Sequence, residues 1–244
     1  MKSNRLITIF LLSFSALITT AQNADQKKLY VAFTYIKINP GKASAYFNLI
    51  KNYSPKITAN RISQGGVLGW YMYELRMPTG TATEYDLISM TVADDFKLMF
   101  DDLDPSDETM RKIMGGMSDQ SIKDIFAQYE SSRTVIKKEI FVLESNAVAQ
   151  NPASKYIWMD YLKGETPDPK TEQKDASRAL FRKSLPVDNR SEVNYLAATF
   201  SNDLSQFSNG IKIPLAKVKG GVSGSLVHSE IWQLVEYVDV NKIK

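Results

Sequence analysis

Three stretches in the second half of this 244-residue chain echo three in the first, in the same order. "KYIWMDYLK" (155–163) lies over "LYVAFTYIK" (29–37), matching Tyr30 with Tyr156, Tyr35 with Tyr161 and Lys37 with Lys163. "NYLAATFSNDL" (194–204) lies over "DLISMTVADDF" (86–96), matching Thr91 with Thr199 and Asp95 with Asp203. "HSEIWQLVEYV" (228–238) lies over "KKEIFVLESNA" (137–147), matching Glu139 with Glu230, Ile140 with Ile231 and Leu143 with Leu234. Collinear matches at shrinking separations are what an old duplication with deletions leaves behind. The other explanation is chance, because strands draw on a narrow β-branched and aromatic vocabulary.

The first copy is the easier to read. "LYVAFTYIKI" (29–38) predicts a strand, and "NPGK" (39–42) a turn. A helix follows with Phe47, Ile50, Tyr53 and Ile57 near 3.6 spacing, kinked at Pro55. "GGVLGWYMYELRMP" and "EYDLISMTV" predict the second and third strands. Asp104, Pro105 and Ser106 signal a helix start, with Met110, Ile113, Met114 and Met117 on one face and Gly115–Gly116 as a break. Ser118 caps a further helix that buries Ile122, Ile125, Phe126 and Tyr129. "TVIKKEIFVLES" closes the unit as a fourth strand. The resulting order, strand–helix–strand–strand–helix–strand, is the split βαβ arrangement of ferredoxin-like domains. After the linker "AVAQNPAS", the second copy reads as degenerate. It shows a helix around "TEQKDASRALFRKSL" and no evident counterpart of "VLGWYMYELRM".

A strand running into "INPGK", a helix, a glycine-led strand carrying "GWYMYE" and the strand "YDLISMTV" together resemble the dimeric α/β-barrel superfamily. That group includes antibiotic-biosynthesis-monooxygenase-type, stress-responsive and NIPSNAP-like domains. The resemblance covers most of residues 29–146 and, more faintly, 155–240. It implies an α+β fold in which two tandem ferredoxin-like repeats, 22–148 and a shortened 149–244, pack their antiparallel sheets into one intramolecular barrel. It also implies a cavity within the barrel or between sheet and helices. It implies no single activity, since members range from cofactor-free oxygenases to haem-handling enzymes.

The N-terminus bears on compartment. Lys2 and Arg5 precede an apolar run from Leu6 to Ile18, and Thr19 and Ala21 stand where a signal peptidase reads. Residues 1–21 are therefore expected to be a signal peptide cleaved near Ala21–Gln22, with a periplasmic or secreted product. The run is shorter than the roughly 20 apolar residues a spanning helix needs. With those two cations assigned to the signal, the 30 basic and 27 acidic residues nearly balance, which gives no basis for nucleic-acid binding. The chain has no Cys and one His, so disulfides, thiolate chemistry and multi-histidine metal sites are excluded.

That one histidine, His228, shares a predicted strand face with Glu230, Trp232 and Leu234. Lys137, Glu139, Phe141 and Leu143 form the matching face of the first copy. A His–Glu pair at this spacing suits proton transfer. Survival of the pattern with Lys in place of His favours a structural job shared by Lys137 and His228. Aromatic residues on three predicted strands, Trp70, Tyr71, Tyr73, Trp158, Tyr161 and Trp232, suit a cavity for an apolar or planar ligand. Tyr35 and Tyr161, at matching positions, are the pair expected to mark it. The expected function is non-catalytic binding of a small apolar or aromatic ligand, with no cofactor, by a monomer or homodimer. The alternative is a cofactor-independent oxygenase or haem-handling enzyme using His228 and Glu230. A third reading is an envelope protein–protein interaction module.

Overall fold

The structure is a computed structural model of the chain. It describes residues 28–78, 84–100, 107–144, 153–164, 178–186, 193–207, 224–241 and 243. The strands are β1 (Tyr30–Ile38), β2 (Gly69–Pro78), β3 (Leu87–Ala93), β4 (Arg133–Leu143), β5 (Tyr156–Gly164), β6 (Arg178–Leu185), β7 (Tyr195–Ser201) and β8 (Gly224–Asp239). They close one barrel in the order β1-β3-β2-β8-β5-β7-β6-β4, with every neighbouring pair antiparallel. The described helices are α1 (Ala43–Asn52), α2 (Ser54–Ser63), α3 (Glu108–Ile113) and α4 (Asp119–Ser132), all in the first half of the chain. The fold is thus α+β with a closed antiparallel barrel.

The strand order falls into two runs of the same form, β4-β1-β3-β2 and β8-β5-β7-β6, which follow each other in the same sense round the barrel. Register repeats as well. Tyr30 faces Ala93 and Val142, while Tyr156 faces Ser201 and Gln233. Tyr35 pairs with Lys137 just before a register shift in the β1–β4 ladder. Tyr161 pairs with His228 just before the corresponding shift in the β5–β8 ladder. An extra residue at such a shift bends the strand locally, and both bends fall beside a tyrosine and the basic residue paired with it.

Two expectations need correction. The segment read as helical around "TEQKDASRALFRKSL" contains β6 over Arg178–Leu185, hydrogen-bonded between β4 and β7. It occupies in the second run the place that β2 holds in the first. Pro55 does not kink one helix. The chain breaks at Tyr53, and Pro55 stands in the first turn of α2, where its missing N–H costs nothing. Other signals agree with the structure. Gly41 takes a positive φ of 74° in the "NPGK" turn, and Ser118 accepts from the Ser121 N–H at 3.2 Å at the start of α4. The start signal at Asp104–Ser106 lies outside the described residues, and α3 is capped by the Asp107 side chain, which accepts from the Thr109 N–H.

An eight-stranded barrel has an interior just wide enough to be filled by side chains. Here it is filled by aromatic and aliphatic groups, including Phe33, Tyr35, Tyr73, Phe141, Tyr161, Phe181 and Trp232, all nearly inaccessible. Phe33 meets Phe141 and Phe181 edge to face at 5.5 and 5.8 Å, the geometry the ring quadrupoles prefer. Outside the barrel, α1 buries Tyr46, Leu49 and Ile50, with Tyr46 and Ile50 packed against Ile36, Trp70, Met72 and Leu87 on the outer face of the first run.

Candidate functional site

Strand alternation sorts the predicted aromatic residues onto opposite faces. Tyr35, Tyr71, Tyr73, Tyr161 and Trp232 point into the barrel core. Trp70 points out, toward the helices. Trp158 lies on the outer face of the second run, its Nε1–H donating to Asp160 Oδ1 at 2.6 Å and its ring edge-on to Phe207. These seven do not line a common cavity.

Inside the barrel, His228 and Glu230 join a polar cluster. Glu230, 1% exposed, accepts from the Tyr161 hydroxyl at 2.7 Å and from the Tyr85 hydroxyl at 2.8 Å, one on each carboxyl oxygen. His228 stacks on the Tyr161 ring at 4.1 Å with planes 11° apart, and its Nε2 stands 3.6 Å from Glu230. The matching residues of the first run repeat the arrangement. Lys137 Nζ sits 4.2 Å from the Tyr35 ring centre and 3.3 Å from Glu139, which also accepts from Lys183 at 2.6 Å. Tyr35 donates to the Tyr161 hydroxyl across 3.5 Å, joining the two sets.

Burial holds the Tyr35 and Tyr161 phenols well above their ordinary pKa, so both remain hydrogen-bond donors at neutral pH. Burial pushes the Glu139 carboxyl up, but Lys137 and Lys183 outweigh it and hold that group below its usual range. Lys137 and His228 thus hold equivalent places, each lying over a tyrosine ring beside a buried carboxyl. A catalytic acid–base pair needs a position from which a substrate proton is reached. Here each oxygen of Glu230 accepts from a phenol, and the carboxyl is 1% exposed.

An open volume lies instead on the outer face of the first run. A cavity of about 380 Å³ separates the sheet from α2, α4 and the turn after α3. Its floor is Ala32 and Thr34 from β1, Trp70 from β2, and Ser89 and Thr91 from β3. The Trp70 Nε1–H donates to Ser89 Oγ at 2.8 Å, which ties the indole to this hydroxyl stripe. Ile57, Met114, Ile125 and Phe126 form an apolar wall opposite. Arg61, Arg133, Lys138 and Glu130 bring charge to the lining.

Sequence reasoning named Trp70 but missed the rest of this set, and it missed Tyr85 and Lys183 in the barrel. Alternation did carry part of the signal, because Thr34, Ser89 and Thr91 fall on the strand face opposite Tyr35, Ile88 and Met90. The cations gave none, since they come from α2 and from β4, far apart in sequence.

The cavity does not suit a histidine-ligated haem. His228 is the only imidazole in the chain, and it faces the packed barrel rather than the cavity lining. No group of three or more His, Cys, Asp or Glu among the described residues is placed to hold a metal ion. No described helix is long and apolar enough to cross a membrane.

No family model matches the chain, and no curated protein matches it. Solved structures do resemble it. A haem-binding protein from Thermus thermophilus aligns with a TM-score of 0.47 and 8% identity, over 85% of this chain and 91% of that one. A chlorite dismutase variant from Candidatus Nitrospira defluvii aligns with a TM-score of 0.49 and 10% identity, over 85% and 92%. At such identities the activity of this chain must be argued from its own residues.

Proposed function

We propose that this chain is a binding protein for a small molecule with an apolar or aromatic body, seated between the outer sheet face and the helices. The cavity of about 380 Å³ carries the proposal. It lies within the roughly 300–1,000 Å³ of small-molecule sites and, like them, joins apolar walls to a few polar groups. At ~30 Å³ per non-hydrogen atom it holds about a dozen such atoms. Its aromatic platform is Trp70, so binding should perturb indole fluorescence.

The same reading includes export after removal of residues 1–21, and descent from two fused copies of one ferredoxin-like unit, 22–148 and 149–244. Matched strand order, matched register and the paired shifts beside Tyr35 and Tyr161 support the fusion. Fusion also accounts for the barrel cluster, since one ancestral phenol, cation and carboxyl would meet their copies across the axis between halves. An acid–base role for His228 has its 3.6 Å approach to Glu230 and its one-third exposed side chain in its favour. The occupied carboxyl oxygens weigh against it.

Titration of the purified protein with a neutral probe of suitable size, such as 2-naphthol, tests the binding reading. One saturable site is expected, lost in Thr91→Phe, which fills the cavity floor. Equal binding by that variant, with its circular dichroism unchanged, would overturn the assignment.

A further inference from the structure

The charge at the cavity is lopsided. Arg61, Arg133 and Lys138 line it against a single carboxylate, Glu130. Glu130 is already spent on Arg133, at 2.8 Å, and is two-thirds exposed, so solvent screens it. The Arg133 guanidinium cannot shed its proton. It lies over the Tyr129 ring at 4.4 Å, and its Nε–H is buried without an acceptor. The Tyr46 hydroxyl also stands within its field. Lys138 donates to the Met99 carbonyl at 2.7 Å, and among the described residues it has no carboxylate partner. The lining therefore carries three cations against one carboxylate, an excess of positive charge.

Resting on the binding site proposed above, we infer that the cavity selects anions: its occupant is a small amphipathic carboxylate. The carboxylate sits between Arg133 and Lys138, and the apolar body runs along Phe126 and Met114 over Trp70. The Arg133 guanidinium gains a second anion beside Glu130, and Lys138 gains a charged partner beside the carbonyl. A cationic ligand meets repulsion from the same pair, and a neutral one leaves the excess positive charge uncompensated. The floor hydroxyls of Thr34, Ser89 and Thr91 are neutral and do not offset this preference.

Isothermal titration of the purified protein with three ligands of matched length, decanoate, decan-1-ol and decylamine, tests the inference. Decanoate should bind at least about tenfold more tightly than decan-1-ol, and decylamine more weakly than either. Lys138→Gln, at an exposed position that leaves the core intact, should narrow the decanoate-to-decanol ratio about threefold to fivefold. Lys138→Arg should restore it. A Lys138 that merely pins the Met99 carbonyl would change stability and leave that ratio alone. A parallel arm with 1-naphthoate against 2-naphthol separates an acyl chain from an aromatic acid as the source of the carboxylate; a preference for the acid in either pair supports the inference. Equal binding of acid and alcohol in both pairs overturns charge selection and leaves the site standing. No binding by any of the five probes overturns both the selection and the site.

Discussion

Replacing Glu230 by Ala removes the acceptor shared by two buried phenols, and its cost follows from that geometry. The Tyr85 and Tyr161 hydroxyls donate at 2.8 and 2.7 Å to separate oxygens of a side chain that solvent does not reach. Each donor left without a partner costs roughly 1–3 kcal/mol. Tyr161 has poor substitutes in the Tyr35 hydroxyl at 3.5 Å and the Met159 sulfur at 4.0 Å, which recover little of that cost. The expected loss is about 3–4 kcal/mol, a large share of the roughly 5–15 kcal/mol by which domains are stable. Glu230→Gln keeps one acceptor oxygen and should lose about 1–2 kcal/mol. Urea unfolding followed by tryptophan fluorescence measures both, as a shift in midpoint at unchanged slope. In a Tyr85→Phe/Tyr161→Phe background no phenol is left to strand, so Glu230→Ala should cost little there, a coupling of about 2 kcal/mol or more. A cost within about 1 kcal/mol of zero in the parent protein, or the same cost in both backgrounds, would refute the reasoning.

Two pH effects follow from the same cluster. Lys137 and Lys183 hold Glu139 below its ordinary value of 4.5, so the stability this carboxyl contributes is present above that value and lost as pH falls through the folded one. The stability gap between the parent and Glu139→Gln should therefore close on acidification, and a gap unchanged down to the acid transition would contradict the assignment. Burial raises Tyr35, Tyr73 and Tyr161 well above 10.0, so their contribution is present below pH 10 and is lost as the pH climbs beyond it. Ultraviolet titration should show these phenols ionising only together with unfolding. A single phase covering all 12 tyrosines in a still-folded protein would contradict their burial.

Much of the barrel was legible because pairing leaves its mark on sequence. Residues that match between the two halves, such as Thr91 with Thr199 and Glu139 with Glu230, occupy equivalent ladder positions. Period-2 alternation correctly put His228, Glu230 and Trp232 on one face. β6 was illegible for a physical reason. Ala179, Leu180 and Phe181 are all buried, so two apolar faces erase the alternation, and the surrounding Lys and Arg residues favour helix. The candidate site was harder still. Trp70 and Tyr71 are adjacent in sequence yet lie on opposite sides of the barrel wall, so an aromatic inventory blends core with cavity. Tyr85 and the cationic lining are set by tertiary placement and leave no local pattern.

Methyl-labelled methionine offers the most direct check on where a ligand sits. Met99 and Met114 line the cavity between sheet and helices, whereas Met90 and Met159 lie in the barrel core. On titration with decanoate, the methyl resonances of Met99 and Met114 should move in a saturable way while those of Met90 and Met159 stay in place. Shifts confined to Met90 and Met159 would put the ligand inside the barrel and contradict the account.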